Sequence, residues 1–510
     1  MDLKKNDEIV VTIDNLGNQG EGVAHVDGYA LFIKKALPGE KVLVRLMKLN
    51  KNYGFARLVE ILEASPQRVE PACPMAKTCG GCSLQHLSYE GQLAFKEQKV
   101  RDCLKRIGGV EPPIWEPILG MTGEEKGKEI PVRPWNYRNK AQFPVREDES
   151  GNPAVGFFAN RSHRLIPVEN CAIQHPVINE VVEEVLGFMR ECHIPAYQEE
   201  KHSGLVRHIY VRRGYHTGQI MVCLIINGKS LPHSEKLVQR LKKVEGMTSI
   251  SLNVNTKKTN VILGEKMIWL EGAPYIEDTI GDIRYRISPQ SFYQVNPIQT
   301  EKLYRTALEF ADLHGDENVW DLYCGIGTIS LFLAQRAKHV TGVEIVPEAV
   351  ENARENAKLN GITNAEFYCG AAEEVAGKLI REEGQGQDTV DVVVVDPPRK
   401  GCDSTLLDTI VKMQPKRVVY VSCDPATLAR DVKILGEKGY RVEKARACDM
   451  FSQGEHVETV VQLVNIGVKP DYTVRLEVDV DEFYKTVGED KRDYLDSEEY
   501  KKIKAKNKDK

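Results

Sequence analysis

The segment VVYVSCDPATLARD (418–431) ends an apolar run at Ser422-Cys423 and opens what reads as a helix near Thr427. Free cysteine is often a small buried hydrophobe. In an open α/β sheet, however, ligands bind beyond the carboxyl ends of the strands. A thiol at such an end faces the site, where its thiolate is a nucleophile. A neighbouring carboxylate raises a thiol's pKa, so Asp424 is assigned a structural role. Arg430 and the N-terminus of the following helix would favour the thiolate.

Three further signals lie in order around this thiol. DLYCGIGTISLFLA (321–334) places Gly325 and Gly327 between a strand and its helix, where a ligand can approach the backbone. The loop lacks the third glycine of a dinucleotide fingerprint. Glu344 ends the next strand, in TGVEIV, where an acid can accept both hydroxyls of a ribose. Asp396 ends a later strand, in VVVVDPPRKG. Together the three spell an S-adenosylmethionine site. Arg399 follows Pro397-Pro398, where many amino-group methyltransferases have an aromatic and RNA cytosine-5 enzymes carry a cysteine within the motif. Cys423 is the well-placed thiol.

A second cluster is Cys73-x5-Cys79-Gly-Gly-Cys82. Three thiolates so close need a metal, and the fourth ligand would be Cys103, Cys171 or Cys192. The opening MDLKKNDEIVVTIDNLG has no apolar signal segment, and no window approaches a membrane span. That predicts a cytoplasmic protein, whose twelve cysteines are no disulfide framework. The net charge of −5 excludes a wholly basic nucleic-acid binder but leaves room for a basic face.

At 510 residues the chain has room for two to four domains. Residues 1–64 alternate short apolar runs with glycine turns, the pattern of a small β-barrel. Tyr53, Phe55 and Arg57 alternate along one run, as in barrels that bind nucleic acid. Residues 65–284 begin with the cysteine cluster and a helix over 88–107 that is stopped by Gly108-Gly109 and can pack on the catalytic domain. The rest of that region mixes strands and helices. Arginines interleave with aromatics at 132–140, 157–165 and 207–216, as in surfaces that stack and neutralise RNA. Residues 285–466 alternate strand and helix through seven strands, predicting a doubly wound parallel sheet. PEAVENARENAKLNG starts a helix at Pro347 and stops it at Asn360-Gly361. Residues 467–510 are a charged extension. The fold class is α/β with a barrel in front.

SFYQVNP, DLYCGIGT, VDPPRKG, YVSCDPATLARD and HVETV together resemble the RNA uracil-5-methyltransferase family, in the branch that modifies 23S ribosomal RNA. The resemblance runs to about residue 465. It implies that the barrel is a TRAM domain and that Gln294, Tyr323, Glu344 and Asp396, with the Gly325–Gly327 loop, hold S-adenosylmethionine. It further implies that Cys423 is the nucleophile, Glu458 the base, and Cys171 the fourth ligand of a [4Fe-4S] cluster with Cys73, Cys79 and Cys82. Zinc is the alternative metal. The resemblance also implies a monomer that acts on RNA and meets no membrane, with transfer RNA as the rival substrate. A non-catalytic RNA-binding or iron–sulfur scaffold would show degraded catalytic positions, and here they are intact. The chemistry agrees: C5 of uracil is too weak a nucleophile until a thiolate adds at C6, and a carboxylate must then remove the C5 proton.

Overall fold

A computed structural model describes residues 3–125, 128–159, 162, 164–383 and 390–467. The extension from 468 onward, and Asn160, Arg161 and His163 of the second arginine-rich stretch, lie outside the described residues.

The C-terminal region builds an eight-stranded sheet. Its spatial order is Ala365–Cys369, His339–Glu344, Asn318–Leu322, Val392–Val395, Arg417–Ser422, Glu458–Asn465, Tyr440–Cys448 and Ile114–Leu119. The first five run parallel. The fourth of them, Val392–Val395, is four valines buried on both faces, as a strand covered by helices on each side requires. Helices Pro297–Ala311, Thr328–Ala334 and Pro347–Leu359 contribute to one core. Ala372–Glu383, Ser404–Met413 and Pro425–Glu437 contribute to the other.

Two expectations change here. The sheet is mixed, because Glu458–Asn465 runs antiparallel to both neighbours. It follows Tyr440–Cys448 after only nine residues (449–457) with no crossover helix, and a parallel return needs a longer connection. The eighth strand, Ile114–Leu119, comes from the region before the second sheet, and its polar-interrupted sequence IWEPIL carries little strand signal. The preceding helix, Tyr89–Cys103, is capped by Ser88, whose hydroxyl accepts from Gly91 N. It ends in a wide turn over Leu104–Gly108 and a left-handed Gly109 (φ 67°). Val100, Cys103 and Leu104 enter the core beneath Pro425–Glu437.

Residues 140–272 form a seven-stranded sheet with helices Pro176–Glu191 and Ser234–Leu241 packed on it through an apolar core. The N-terminal region forms a six-stranded sheet rather than a closed barrel. Its terminal strands, Glu8–Thr12 and Asn15–Leu16, do not pair with each other. Ile13 N donates instead to Glu40 O, and the two-residue strand is spent on Gly22–Val26. The sheets belong to one unit spanning Met1–Ile466.

Candidate active site

Val418–Val421 is fully buried, and Cys423 follows Ser422, the last residue of its strand. The chain turns at once into helix Pro425–Glu437. Asp424 caps it, its Oδ1 accepting from Ala426 N (2.9 Å) and Thr427 N (3.1 Å). Its carboxylate is therefore turned to the helix N-terminus.

Antiparallel pairing sets the partner. Val421 faces Val460 and Ser422 faces Thr459. The ladder ends there, and Cys423 and Glu458 are the next residues on the two strands, close enough for the Glu458 charge to act on the thiol. The charges agree: burial first, then Glu458 and Asp396, push the Cys423 thiol up to about 11, and Arg399 opposes them. Burial first raises both Glu458 and Asp396 above the ordinary carboxylate range, with repulsion from Asp396 added on Glu458 and from Asp321 on Asp396, and Arg399 again opposes the rise on Glu458. Two adjacent buried carboxyls cannot both ionise cheaply, so one retains a proton near neutrality.

The cation beside the thiol is thus Arg399. Arg430, the sequence-based choice, is held elsewhere: its Nε donates to Asp431 (2.8 Å) and its Nη2 to Lys400 O (2.9 Å). The Asp-Pro-Pro-Arg spelling carried the signal for Arg399, since a buried pair of acids beside a thiolate needs a positive neighbour.

The glycine loop lies at the end of Asn318–Leu322. Gly325 (φ 57°) and Gly327 (φ 81°) are left-handed. A Cβ on Gly327 would press on Phe367 at 3.2 Å, whereas one on Gly325 would meet nothing within 4 Å. Gly325 therefore leaves open space in front of the backbone. Tyr323 is also left-handed (φ 81°), a strained conformation for a bulky side chain. Glu344 Oε2 accepts from Gly325 N (3.1 Å) and Oε1 from Val346 N (2.9 Å), fixing the carboxylate at the loop. Gln294 is buried, its carbonyl accepting from Asn139 Nδ2 (3.1 Å).

Asp321 was missed as a site residue although it opens the glycine motif. It is fully buried, and Ser330 Oγ donates to its Oδ2 (2.6 Å). Among the described residues, Asp321 Oδ1 and Glu458 Oε2 find no hydrogen-bond partner. Buried oxygens left unpaired are costly and mark places where a ligand donor belongs.

The cysteine cluster is some distance away in sequence from the fourth candidate ligand, yet Cys73, Cys79, Cys82 and Cys171 line one cavity of about 290 Å³. Burial pushes the Cys82 thiol up to about 12, with added repulsion from Cys171, Cys79 and Cys73. Cys103 lies in the core beside Lys99, and Cys192 ends helix Pro176–Glu191. Among the described residues, no group of three or more Cys, His, Asp or Glu side chains is placed to hold a metal ion. Of the RNA-facing stretches, Arg207 and Arg212 are buried, their guanidinium groups donating to backbone carbonyls. Tyr53 and Phe55 are exposed and cluster with Phe32, with ring centroids within 5.9 Å.

An open α/β sheet with a glycine loop, a ribose-side acid and buried strand-end carboxyls defines an S-adenosylmethionine-dependent methyltransferase. The tRNA (uracil-5-)-methyltransferase family matches residues 129–466 and the TRAM domain matches 3–59, and the chain belongs to that methyltransferase family. It is 52% identical over 462 residues to an RNA methyltransferase of Halalkalibacterium halodurans, covering 90% of this chain and 98% of that one. It is 48% identical over 465 residues to another from Bacillus cereus, covering 91% and 98%. Among solved structures it resembles Pyrococcus abyssi tRNA (uracil-54, C5)-methyltransferase bound to S-adenosyl-L-homocysteine. That match has 29% identity and a TM-score of 0.70, over 89% of this chain and 99% of that one. The chain is thus an S-adenosylmethionine-dependent RNA methyltransferase of the uracil-5 family. Among the described residues, no helix is long and apolar enough to cross a membrane.

Proposed function

We propose that the protein methylates C5 of a uridine in 23S ribosomal RNA through a covalent bond from Cys423 to C6, with Glu458 as the base. The observation that carries this reading is the register ending at Ser422 and Thr459, after which Cys423 and Glu458 come next on the two strands. The Cys423 thiolate adds to C6, and the C5–C6 electron pair moves onto C5 and the adjacent carbonyl. S-adenosylmethionine supplies the methyl group that C5 takes up. Glu458 then accepts the C5 proton, the C6–S bond breaks, and the thiolate is restored. Arg399 steadies the thiolate between two acids. Asp424, committed to its helix cap, takes no proton.

For the cofactor, Gly325 and Gly327 leave room at the backbone, Glu344 faces the ribose, and Gln294, Tyr323 and Asp396 complete the pocket. The unpaired Asp321 Oδ1 fits an ammonium group. The residues present therefore suit S-adenosylmethionine.

Cys73, Cys79, Cys82 and Cys171 would hold a [4Fe-4S] cluster. The fit rests on the donor set, four cysteines that line one cavity of about 290 Å³. A cluster there would be structural, since methyl transfer has no redox step. Anaerobically purified protein should be brown with about four irons per chain. Cys171→Ser should lose the iron, while Cys103→Ser and Cys192→Ser keep it. Stoichiometric zinc without iron would end this assignment.

The N-terminal sheet offers Tyr53 and Phe55 for base stacking. The twelve cysteines are all free, which suits a reducing cytoplasm, and the protein is taken as a monomer there. A TRAM domain and a four-thiol cage in one chain favour the ribosomal branch of the family. A second reading, transfer RNA, is favoured by the likeness to the P. abyssi enzyme, which is named for uridine 54 of tRNA and covers 89% of this chain. Mass-spectrometric mapping of 5-methyluridine in ribosomal and transfer RNA, with and without the gene, decides between them. Loss confined to 23S RNA is expected, and loss confined to tRNA selects the rival.

A further inference from the structure

The base sits at the first residue of its strand, so its position depends on the nine residues before it, 449–457. This connection is unusual for a loop. Asp449, Met450, Ser452, Gln453 and Val457 are buried, and Gln453 is left-handed (φ 72°). A non-glycine residue holds that conformation only where its surroundings over-determine it.

Much of the surroundings comes from residues 83–99, more than 350 positions away in sequence, while Tyr137 Oη, Asn296 Nδ2 and Gln299 Nε2 donate to Ser452 O (2.9 Å), Met450 O (3.2 Å) and Asp449 O (3.1 Å). Ser83 N and Leu84 N both donate to Gln453 O, at 3.1 and 3.0 Å. Gln92 and Gln453 bond reciprocally: Gln453 N donates to Gln92 Oε1 (3.0 Å) and Gln92 Nε2 donates to Gln453 Oε1 (3.2 Å). Gln92 Nε2 also reaches Leu84 O and Leu87 O, locking the amide from both sides. Ser83 Oγ donates to Glu455, and Lys99 Nζ to Glu455 O (3.0 Å). Lys96, fully buried, pairs with the equally buried Asp449 and donates to Phe451 O (2.9 Å). Tyr89 and Ser452 also donate to Asp449, at 2.7 and 2.6 Å.

This network explains a feature of helix Tyr89–Cys103. Its buried side carries Gln92 and Lys96, polar residues that are rarely interior unless paired. An apolar helix would have packed as well. What Gln92 and Lys96 add is a fixed geometry for the segment that leads into Glu458. Ser83 directly follows Cys82, so the loop that carries the thiol cage also grips the segment that presents the base.

We infer that Ser83, Gln92 and Lys96 are positioning residues for Glu458: through 449–457 they hold its carboxylate near Cys423 for removal of the C5 proton. The inference rests on the proposed reaction. It predicts a selective defect, because thiol attack and methylation use Cys423 and the cofactor strands, to which Ser83, Gln92 and Lys96 make no hydrogen bond among the described residues. Proton removal alone should slow.

The test uses full-length Gln92→Leu and Ser83→Ala proteins with unmodified target RNA. Each should accumulate a covalent, already methylated RNA adduct on denaturing gels. Turnover should fall by about tenfold or more, up to the roughly 10²–10⁴ that a positioned base supplies, with KM for RNA and for S-adenosylmethionine within about twofold of wild type. Ser83→Thr, which restores the hydroxyl, should release product at the wild-type rate. Melting curves and cofactor binding report the folded fraction, and Ser83→Ala, a single-atom deletion, covers the case in which Gln92→Leu fails to fold. The clamp is refuted if neither variant traps adduct. It is also refuted if adduct formation and release decline together with the folded fraction. A wild-type protein that forms no Cys423-dependent adduct with 5-fluorouridine RNA would instead refute the reaction itself.

Discussion

Cys423→Ala is expected to abolish methyl transfer while leaving S-adenosylmethionine binding close to that of wild type. The groups proposed to hold the cofactor, among them Asp321, Gly325, Gly327, Glu344 and Asp396, stand on other strands of the sheet or directly after them. Removing the thiol takes away the step that makes C5 nucleophilic, and no neighbouring side chain can substitute. Wild-type protein should attach covalently to RNA carrying 5-fluorouracil at the target, because fluorine cannot leave C5 as a proton. Cys423→Ala should not attach. The rate of attachment should rise with pH. Burial and two acids push the thiol up to about 11, so below that value the thiolate fraction grows by about tenfold per pH unit. A pH-independent attachment rate, or an adduct with Cys423→Ala, would place the nucleophile elsewhere.

Glu458→Gln should show the opposite pattern at the gel: a stable adduct with ordinary RNA, already methylated, and turnover lowered by about 10²–10⁴. Glutamine keeps the size and hydrogen bonding of the side chain and loses only its basicity. Asp424→Asn should trap nothing, since its carboxylate is held by Ala426 N and Thr427 N. Stability supplies an independent readout. Glu458 is buried and repelled by Asp396, so its folded pKa is raised above that of the unfolded chain. For an acid shifted upward, the folded state binds the extra proton, and stability falls as pH rises from the ordinary carboxylate range through the raised value. Glu458→Gln removes that slope, so its advantage in melting temperature should widen with pH. Normal turnover by Glu458→Gln, or trapping by Asp424→Asn, would reassign the base.

The strand ends were legible in the sequence because a buried parallel strand followed by a glycine or proline turn has a distinctive spelling. VVVVDPP and DLYCGIG each mark an apolar run, its stop and a polar residue at the stop. Helix Pro347–Leu359 was legible for the same local reason, with Pro347 at its start and a left-handed Gly361 (φ 64°) beyond its end. Periodicity and capping act within a few residues, so sequence alone located the first five strands along the chain and the thiol at the fifth strand end.

What required the tertiary structure was every relation between segments remote in the chain. Strand direction at Glu458–Asn465 depends on the length of a loop, and that direction is what brings Glu458 close to Cys423. The sheet's last strand, Ile114–Leu119, is a polar-interrupted segment that pairs only because Tyr440–Cys448 leaves an edge beside it. The choice of Cys171 over Cys103 and Cys192 as a wall of the thiol cavity depends on where three chain segments meet. Arg399 and Arg430 are equally basic in sequence, and only packing turned Arg430 to Asp431 and left Arg399 beside the thiol. The N-terminal sheet stays open because Asn15–Leu16 is spent on Gly22–Val26, a pairing invisible to alternation. Local sequence specifies which groups stand at the ends of elements. Long-range packing, which brings together charges hundreds of residues apart, decides which of those groups share a site.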